Sequence, residues 1–225
     1  MSELRCVIFD VDGTLMDSRA LILHAMRTAF EAVALDYPGD TQALSGVGLS
    51  MPVMMRHLLP DADEETRQRL IEAYRTAFFS RRAEMGAAET APFFPGAREV
   101  LETFRAEDWT LLALATGKSR RGLDATLTGH GLKGWFQSTQ TADEHPSKPN
   151  PSMIQKILAE TGADAARVVM IGDTSFDMDM ARAAGVSALG VSWGHHPPES
   201  LGADIVIDDF ADLPGAVEAL IGSAP

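Results

Sequence analysis

The strongest constraint on the fold is a short apolar stretch near the start of the chain, Val7-Ile8-Phe9, which runs directly into Asp10, Asp12 and Gly13. The stretch has no polar side chain for a solvent-facing surface, which is typical of a strand buried on both faces of a parallel sheet. Asp10 and Asp12 are two residues apart, so an extended backbone directs both side chains the same way, and glycine permits a sharp turn after them. Because open parallel sheets bind ligands at the carboxyl ends of their strands, the sequence predicts a functional pocket here.

The paired acids predict a bound cation. Two carboxylates held close together repel each other, and one would take up a proton unless a cation lay between them. Mg²⁺ suits such a site because it prefers oxygen ligands and often binds a substrate phosphate at the same time. A calcium loop is disfavoured, since neither a third spaced acid nor a closing glutamate follows. Taken alone, the motif also leaves an ordinary acidic turn open.

Composition and charge limit the classes of function. The chain has 225 residues, of which 45% are hydrophobic and 23% charged, and a formal net charge of −13. That charge argues against a surface for nucleic acid or anionic membrane, because phosphate contacts need clustered lysines and arginines. The single cysteine, Cys6, can form no internal disulfide, the first strand leaves no room for a signal peptide, and no apolar run approaches the ~20 residues that span a bilayer. We therefore expect a cytoplasmic protein.

Two patterns divide the chain. Residues 18–91 show apolar residues at helical spacing and no strand signal, and a stiff segment, Pro92–Gly96, follows them. Beyond it, helices alternate with short strands predicted at 110–115, 137–141, 167–171, 187–191 and 204–207. We predict an α/β fold with a doubly wound, Rossmann-like parallel sheet built from residues 1–17 and 92–225, and an all-helical cap domain, residues 18–91, inserted after the first strand.

Polar residues also follow the later strands. Thr116 ends the second strand at a turn into a helix, where its hydroxyl and nearby backbone N–H groups make an anion site. Lys148 offers a positive charge in a proline-rich loop, and Asp173 and Asp177 follow the strand at 167–171. We expect these groups to converge with the paired acids, because the carboxyl ends of parallel strands lie side by side. Together they supply a nucleophile, an acid and positive charge, as phosphoryl transfer requires.

Four segments, in this order, resemble the motifs of the haloacid dehalogenase (HAD) superfamily. They are Asp10-Val11-Asp12-Gly13-Thr14, Thr116, Lys148-Pro149-Asn150-Pro151 and Gly172-Asp173-Thr174-Ser175-Phe176-Asp177. The chain is most similar to the phosphoglycolate phosphatase-like hydrolases of that superfamily, and the likeness extends over nearly its whole length, including the helical insertion. Each motif is weak alone, but the ordered combination is specific.

The resemblance implies roles for the acids. Asp10 would be the nucleophile and a Mg²⁺ ligand. Asp12 would protonate the leaving group and then activate the hydrolytic water, with its backbone carbonyl also binding the metal. Asp173 would bind Mg²⁺, and Asp177 would support the metal site as a further acid. Relatives that act on carbon–halogen bonds lack an acid at the position of Asp12, so its presence indicates a phosphate substrate.

The resemblance also implies a phosphoryl-binding set that consists of Asp10, Thr116, Gly117 and Lys148. Thr116 and Lys148 would hold the phosphoryl oxygens, and Lys148 would also restrain Asp10. Gly117 departs from the family pattern, because many relatives have asparagine there. Glycine keeps the backbone N–H but lacks the side-chain amide of asparagine. We expect this loss to affect contacts with the substrate more than the catalytic reaction.

The sequence does not indicate a catalytic role for several other polar residues. Adjacent histidines rarely face one ion, so His195-His196 is interpreted as a surface loop and not as a metal pair. Four cationic residues of the cap are interpreted as solvated or packed, with one of them a candidate substrate contact. They are Arg56, His57, Arg81 and Arg82.

The sequence therefore predicts a Mg²⁺-dependent phosphomonoester hydrolase that acts through an aspartyl-phosphate on a small phosphorylated metabolite. The resemblance makes 2-phosphoglycolate the best single candidate. A sugar-phosphate mutase, or a phosphatase for another small phosphate or pyrophosphate, shares the core motifs and stays open. Outside the enzymes, a phosphate-sensing binding module is the alternative. We expect a small-molecule phosphate ester as the partner and a monomer or homodimer as the assembly.

Overall fold

The structure, a computed structural model, describes residues 4–224 and contains a sheet of six strands in which every neighbouring pair is parallel. The strands are β1 (Arg5–Phe9), β2 (Thr110–Thr116), β3 (Ser138–Thr141), β4 (Val168–Gly172), β5 (Ser187–Val191) and β6 (Ile205–Ile207). Their order across the sheet is β3-β2-β1-β4-β5-β6, so β1 and β4 are adjacent at the centre. The predicted α/β fold is confirmed. Residues 1–3 and 225, which the predicted core boundaries include, lie outside the described part.

Helices cover both faces of this sheet and fill the insertion after β1. The inserted helices are α1 (Arg19–Ala32), α2 (Asp40–Leu44), α3 (Met51–Leu58), α4 (Glu64–Met85) and α5 (Ala87–Thr90). The helices that flank the sheet are α6 (Ala97–Arg105), α7 (Arg120–Gly129), α8 (Ser152–Thr161), α9 (Ser175–Ala184) and α10 (Leu213–Ile221).

The apolar run in β1 is explained by burial on both sides. Val7 and Phe9 pack into one apolar cluster with residues of α6, α7 and α10, whereas Cys6 and Ile8 pack into a second cluster with residues of α8 and α9. All four side chains are completely buried. Successive residues of a strand point to opposite faces, so a strand covered by helices on both sides needs an unbroken apolar sequence.

The insertion has an apolar cluster of its own. Helices α1 and α4 pack along each other and bury Met26, Phe30, Leu70 and Tyr74. Ser18 occupies the N-cap position of α1, although its side chain accepts no capping hydrogen bond. The separate cluster supports our proposal that residues 18–91 are a cap domain inserted into a core of residues 1–17 and 92–225.

The two segments that join the insertion to the core run beside each other. The Asp17 N–H donates to the Pro92 carbonyl at 2.8 Å, and the Phe94 N–H donates to the Leu15 carbonyl at 3.0 Å. A further contact comes from Arg82 near the end of α4, which donates to Gly122 O at 3.2 Å on α7. These contacts hold the insertion over the end of the sheet where the predicted site residues lie.

Phe30→Ala should lower the free energy of unfolding of the cap by about 3–5 kcal/mol, because removal of a fully buried ring leaves a cavity. Limited proteolysis with mass spectrometry should then find new cleavage within residues 18–91, while the sheet stays protected. Glu31→Ala, at the neighbouring exposed position, should change stability by less than about 0.5 kcal/mol. Equal loss of protection in the cap and the sheet would contradict the division into two domains.

Candidate active site

The carboxyl end of the sheet brings the predicted site residues together. Asp10 directly follows β1, and its backbone N–H donates to Ile171 O of β4 at 2.9 Å. Thr116 is the last residue of β2, Asp173 directly follows β4, and Lys148 reaches the same place from the loop before α8. These four side chains are at most 1% exposed. The expected convergence of groups distant in sequence is therefore present in the structure.

Lys148 is held between two carboxylates. Its Nζ lies 2.9 Å from Asp10 Oδ2 and 2.6 Å from Asp177 Oδ1. Burial alone would lower the pKa of this lysine, but the two acids raise it, so the ammonium stays charged. Asp177 lies in the first turn of α9, where its Oδ2 accepts hydrogen bonds from Thr174 Oγ1 at 2.7 Å and Thr174 N at 3.1 Å. The lysine is thus in direct contact with Asp10, and its predicted role in restraining that acid stays a prediction.

Three buried acids form a cluster that could hold a metal ion. One carboxylate oxygen from each of Asp10, Asp173 and Asp177 lies within 4.8 Å of the others. Burial raises the pKa of Asp10 to about 7, and the charges of the two other acids add to this effect, whereas Lys148 opposes it. The three acids outnumber their cationic partners Lys148 and His195, so acidic groups are in excess at this buried site. A divalent cation with oxygen ligands fits that charge and that donor set.

Asp12 stands apart from this cluster and pairs with a residue to which the sequence interpretation gave no role. Lys118 Nζ lies 2.7 Å from Asp12 Oδ2, and the lysine side chain is 7% exposed. Burial alone would raise the pKa of Asp12, but the neighbouring ammonium of Lys118 lowers it below its usual value. The carboxylate is therefore ionised in this arrangement. A role of its backbone carbonyl in metal binding stays a prediction.

Gly117 is required by a close approach of the cap. A Cβ atom at this position would lie 2.5 Å from the Gly48 carbonyl oxygen and 2.8 Å from the Leu49 carbonyl oxygen, both in the loop before α3. Backbone atoms cannot move aside as a flexible side chain would, so any larger residue would displace this loop. The neighbouring Thr116 accepts a hydrogen bond at Oγ1 from the Lys118 N–H at 3.3 Å. Thr116 ends β2 and Gly117 lies in the turn between β2 and α7, where the sequence predicts an anion site.

The interpretation of His195-His196 as a surface loop is wrong. The His195 side chain is 2% exposed, and its Nδ1 lies 2.8 Å from Asp173 Oδ2. Burial lowers the pKa of His195 while Asp173 raises it, with a net increase, and the same contact lowers the pKa of Asp173. His196 has other partners: its Nδ1 accepts a hydrogen bond from the Ser175 N–H at 3.2 Å, and its Nε2 lies 3.1 Å from Ser45 O in the cap. Adjacent side chains of an irregular loop can have different partners, and nothing in the sequence pattern reveals this.

A cavity of about 130 Å³ lies between the core and the cap, next to these residues. At roughly 10–15 Å³ per water, it has space for about ten waters, the size of a small metabolite. The core contributes Asp10, Asp12, Thr116, Gly117 and Lys118. The cap contributes mainly apolar and aromatic side chains, and they are Ile22, Val47, Leu49, Met51, Pro52, Met54, Tyr74, Phe78 and Phe79.

The cap cation that lines this cavity is Arg75 of α4, which the sequence interpretation did not select. Its side chain is exposed, and it has no ion-pair partner among residues 4–224. Arg82 is packed, with Nη2 2.7 Å from Thr126 Oγ1, and Arg56 and Arg81 lie within 4.0 Å of glutamates of the cap itself. The rotation of α4 about its axis determines which of its arginines lines the cavity. Arg75 is therefore the arginine that can contact a substrate there.

Comparisons with known proteins agree with this architecture. A family model for haloacid dehalogenase-like hydrolases matches residues 7–191. A probable phosphatase, IndB, of Dickeya dadantii is 33% identical over 221 residues, which cover 96% of this chain and 94% of that protein. A phosphoglycolate phosphatase of Caulobacter vibrioides is 33% identical over 227 residues, with 97% and 93% coverage. The crystal structure of a predicted phosphoglycolate phosphatase from Haemophilus somnus 129PT has a TM-score of 0.82 at 21% identity and covers 96% of this chain and 99% of that one.

The chain therefore belongs to the haloacid dehalogenase-like hydrolases. Within that family it is a phosphatase similar to the phosphoglycolate phosphatases, which confirms the predicted family and the prediction of an enzyme. A small phosphate ester is the substrate class that follows from this family. Among residues 4–224, the helices lack the combination of length and apolar character that a bilayer crossing requires.

Mg²⁺ should stabilise the folded protein, because a divalent cation offsets the excess negative charge of the three acids. At a free Mg²⁺ concentration 100 times its Kd, the gain is about 2.7 kcal/mol, measurable as a rise in Tm. Asp173→Asn should lose most of this response, whereas Asp179→Asn, at an exposed position of α9, should keep it. A wild-type Tm that does not respond to Mg²⁺ would show that the cluster is not a cation site.

Proposed function

We propose that this phosphatase hydrolyses phosphate monoesters through an aspartyl-phosphate on Asp10, with Mg²⁺ as its metal. The observation that carries the proposal is the buried arrangement of Asp10, held at 2.9 Å by Lys148, beside a cavity that also exposes the carboxylate of Asp12. A carboxylate so fixed can attack phosphorus in line, because its rotation is restricted before the substrate arrives.

In the proposed reaction, the two acids have different tasks. Asp12, ionised in the free site, would first take up a proton from the incoming phosphate ester. Asp10 attacks phosphorus, and the bond between phosphorus and the leaving-group oxygen breaks as Asp12 passes this proton to that oxygen. Asp12, now ionised, accepts a proton from a water molecule that attacks the phosphorus of the aspartyl-phosphate. The bond between Asp10 and phosphorus then breaks, which releases inorganic phosphate and restores both carboxyl groups. Lys148 and the Thr116 hydroxyl would bind the phosphoryl oxygens as negative charge shifts between them.

The residues proposed to hold the metal are Asp10, Asp173 and Asp177, with the backbone carbonyl of Asp12 as a further ligand. Bound there, Mg²⁺ would supply positive charge to the phosphoryl oxygens and to Asp10. The side chains fit this group because their charges exceed what Lys148 can neutralise. Positive charge also favours the ionised form of Asp10, whose pKa of about 7 in the metal-free site would otherwise leave part of the nucleophile protonated at neutral pH.

Phosphate release from a panel of small phosphate esters, with Mg²⁺ and with EDTA, tests the proposal. Asp10→Asn should lower kcat by a factor of about 10³ or more, since the amide cannot form the covalent intermediate. Asp179→Asn should retain wild-type kcat, because that exposed carboxylate faces away from the cavity. Full activity of Asp10→Asn would exclude Asp10 as the nucleophile. A product that retains the phosphoryl group in place of free phosphate would instead indicate a mutase.

We further propose 2-phosphoglycolate as the substrate, with support from the likeness to the Caulobacter vibrioides phosphoglycolate phosphatase. That molecule carries a carboxylate on the same carbon that bears its phosphate ester. Arg75, which has no ion-pair partner among residues 4–224, and Lys118, which pairs with Asp12, line the cavity as cations apart from the Lys148 ammonium that would bind the phosphate. A small, mostly apolar cavity with two cations suits a short acidic ester better than a polyhydroxylated sugar. A cytoplasmic location and a monomeric or homodimeric state stay predictions.

Arg75→Gln should raise KM for 2-phosphoglycolate about tenfold, since a hydrogen bond to a charged group contributes about 1.5–3 kcal/mol. KM for an ester without a second charge, such as ethyl phosphate, should change less than twofold. Arg69→Gln, at an exposed position of the same helix outside the cavity, is the matched control and should leave both values unchanged. Equal effects of Arg75→Gln on both esters would contradict recognition of a substrate carboxylate.

A further inference from the structure

The loop after β5 connects the acid cluster with the cap. Four consecutive residues of this loop, residues 193–196, each form a hydrogen bond with a different part of the molecule. Trp193 Nε1 donates to Thr14 O at 3.1 Å, Gly194 O accepts from Arg19 Nη2 at 2.9 Å, His195 contacts Asp173, and His196 Nε2 lies 3.1 Å from Ser45 O.

His195 makes two contacts with one oxygen of a proposed metal ligand. Its backbone N–H donates to Asp173 Oδ2 at 2.9 Å, and its ring Nδ1 lies 2.8 Å from the same oxygen. The Thr14 hydroxyl donates to the other oxygen of Asp173 at 2.8 Å. The carboxylate is therefore fixed at both oxygens. These contacts use three of the about four acceptor positions of the carboxylate, so one position, on Oδ1, is left for a metal ion.

Two glycines make room for this arrangement. A Cβ atom at Gly194 would collide with the Asp173 side chain, and one at Gly13, where φ is +82°, would collide with both Asp173 and His195. The histidine ring is thus packed between the loop and the first catalytic motif. A ring in such a place does not change rotamer without moving backbone.

We propose that His195 is a positioning residue for the metal site, which holds the Asp173 carboxylate in the orientation that binds Mg²⁺. The inference rests on the proposed metal-dependent function and adds a residue to it. His195 is not itself a ligand, because the acid cluster consists of Asp10, Asp173 and Asp177 and the histidine nitrogen that reaches it already contacts Asp173. Removal of a side chain that hydrogen-bonds to a metal ligand, and so orients it, typically lowers metal affinity or activity 10–100-fold.

Calorimetric titration of the protein with Mg²⁺, in the absence of any substrate, tests the proposal. His195→Leu should raise the Kd for Mg²⁺ about tenfold, toward the lower end of that range, because the backbone N–H bond to Asp173 persists. His195→Asn should stay within about threefold of wild type, since its amide nitrogen takes the place of Nδ1. His195→Gln, whose amide nitrogen takes the place of Nε2, should behave like His195→Leu. His196→Leu, the matched control in the same loop, should bind Mg²⁺ as wild type does.

The possible results distinguish three cases: His195 orients Asp173 through a hydrogen bond, the His195 ring acts only through packing, or the protein has no Mg²⁺ site. Equal Kd values for wild type and His195→Leu would overturn the inference while the proposed function stands. Equal weakening in His195→Leu and His195→Asn would also overturn it, because packing and not the hydrogen bond would then be responsible. If His195→Leu does not fold, the comparison of His195→Asn with His195→Gln decides the matter. Absence of Mg²⁺ binding to the wild-type protein would overturn the metal-dependent function itself, and this inference with it.

Discussion

The ion pairs of Lys148 with Asp10 and Asp177 are the interaction on which the rest of the site depends. Removing a charge from water costs several kcal/mol, so buried charges persist only where they are paired and hydrogen-bonded. The adjacency of β1 and β4 places Asp10 beside Asp173 and Asp177, and a loop from elsewhere in the chain supplies the lysine. Loss of Lys148 would leave the buried carboxylates of Asp10 and Asp177 without a countercharge. The pairing also leaves a negative excess, and that excess defines the proposed cation site.

The cap forms one wall of the small cavity beside Asp10. Its loop at Gly48 and Leu49 approaches the backbone of Gly117 so closely that no Cβ fits. The departure of Gly117 from the family pattern is therefore explained by packing between cap and core, in addition to the loss of an amide. Recognition of the substrate then rests on the apolar wall from α1, α3 and α4 and on the cations Arg75 and Lys118.

The parts of the fold that the sequence predicted best are those where a local hydrophobic pattern reflects burial in the sheet. The apolar run of β1 and the acids that follow it could be predicted because a strand covered on both faces has few alternatives, and parallel strands bring their carboxyl ends together. Lys118, Arg75 and His195 could not be assigned in this way. Their partners depend on the rotation of a helix or on the path of an irregular loop, and neither leaves a periodic signal in the sequence. His195 and His196 were considered only as a pair that could bind one ion, so a separate contact of His195 with Asp173 was not predicted.

The most direct test of the central claim is to trap the phosphorylated residue during turnover. Borohydride reduces an acyl phosphate to an alcohol, and mass spectrometry of the peptides then locates the reduced side chain. Reduction is expected at Asp10 when substrate and Mg²⁺ are both present, and none is expected when either is omitted. Sustained release of phosphate with no reduction at Asp10, or with reduction at a different acid, would contradict it.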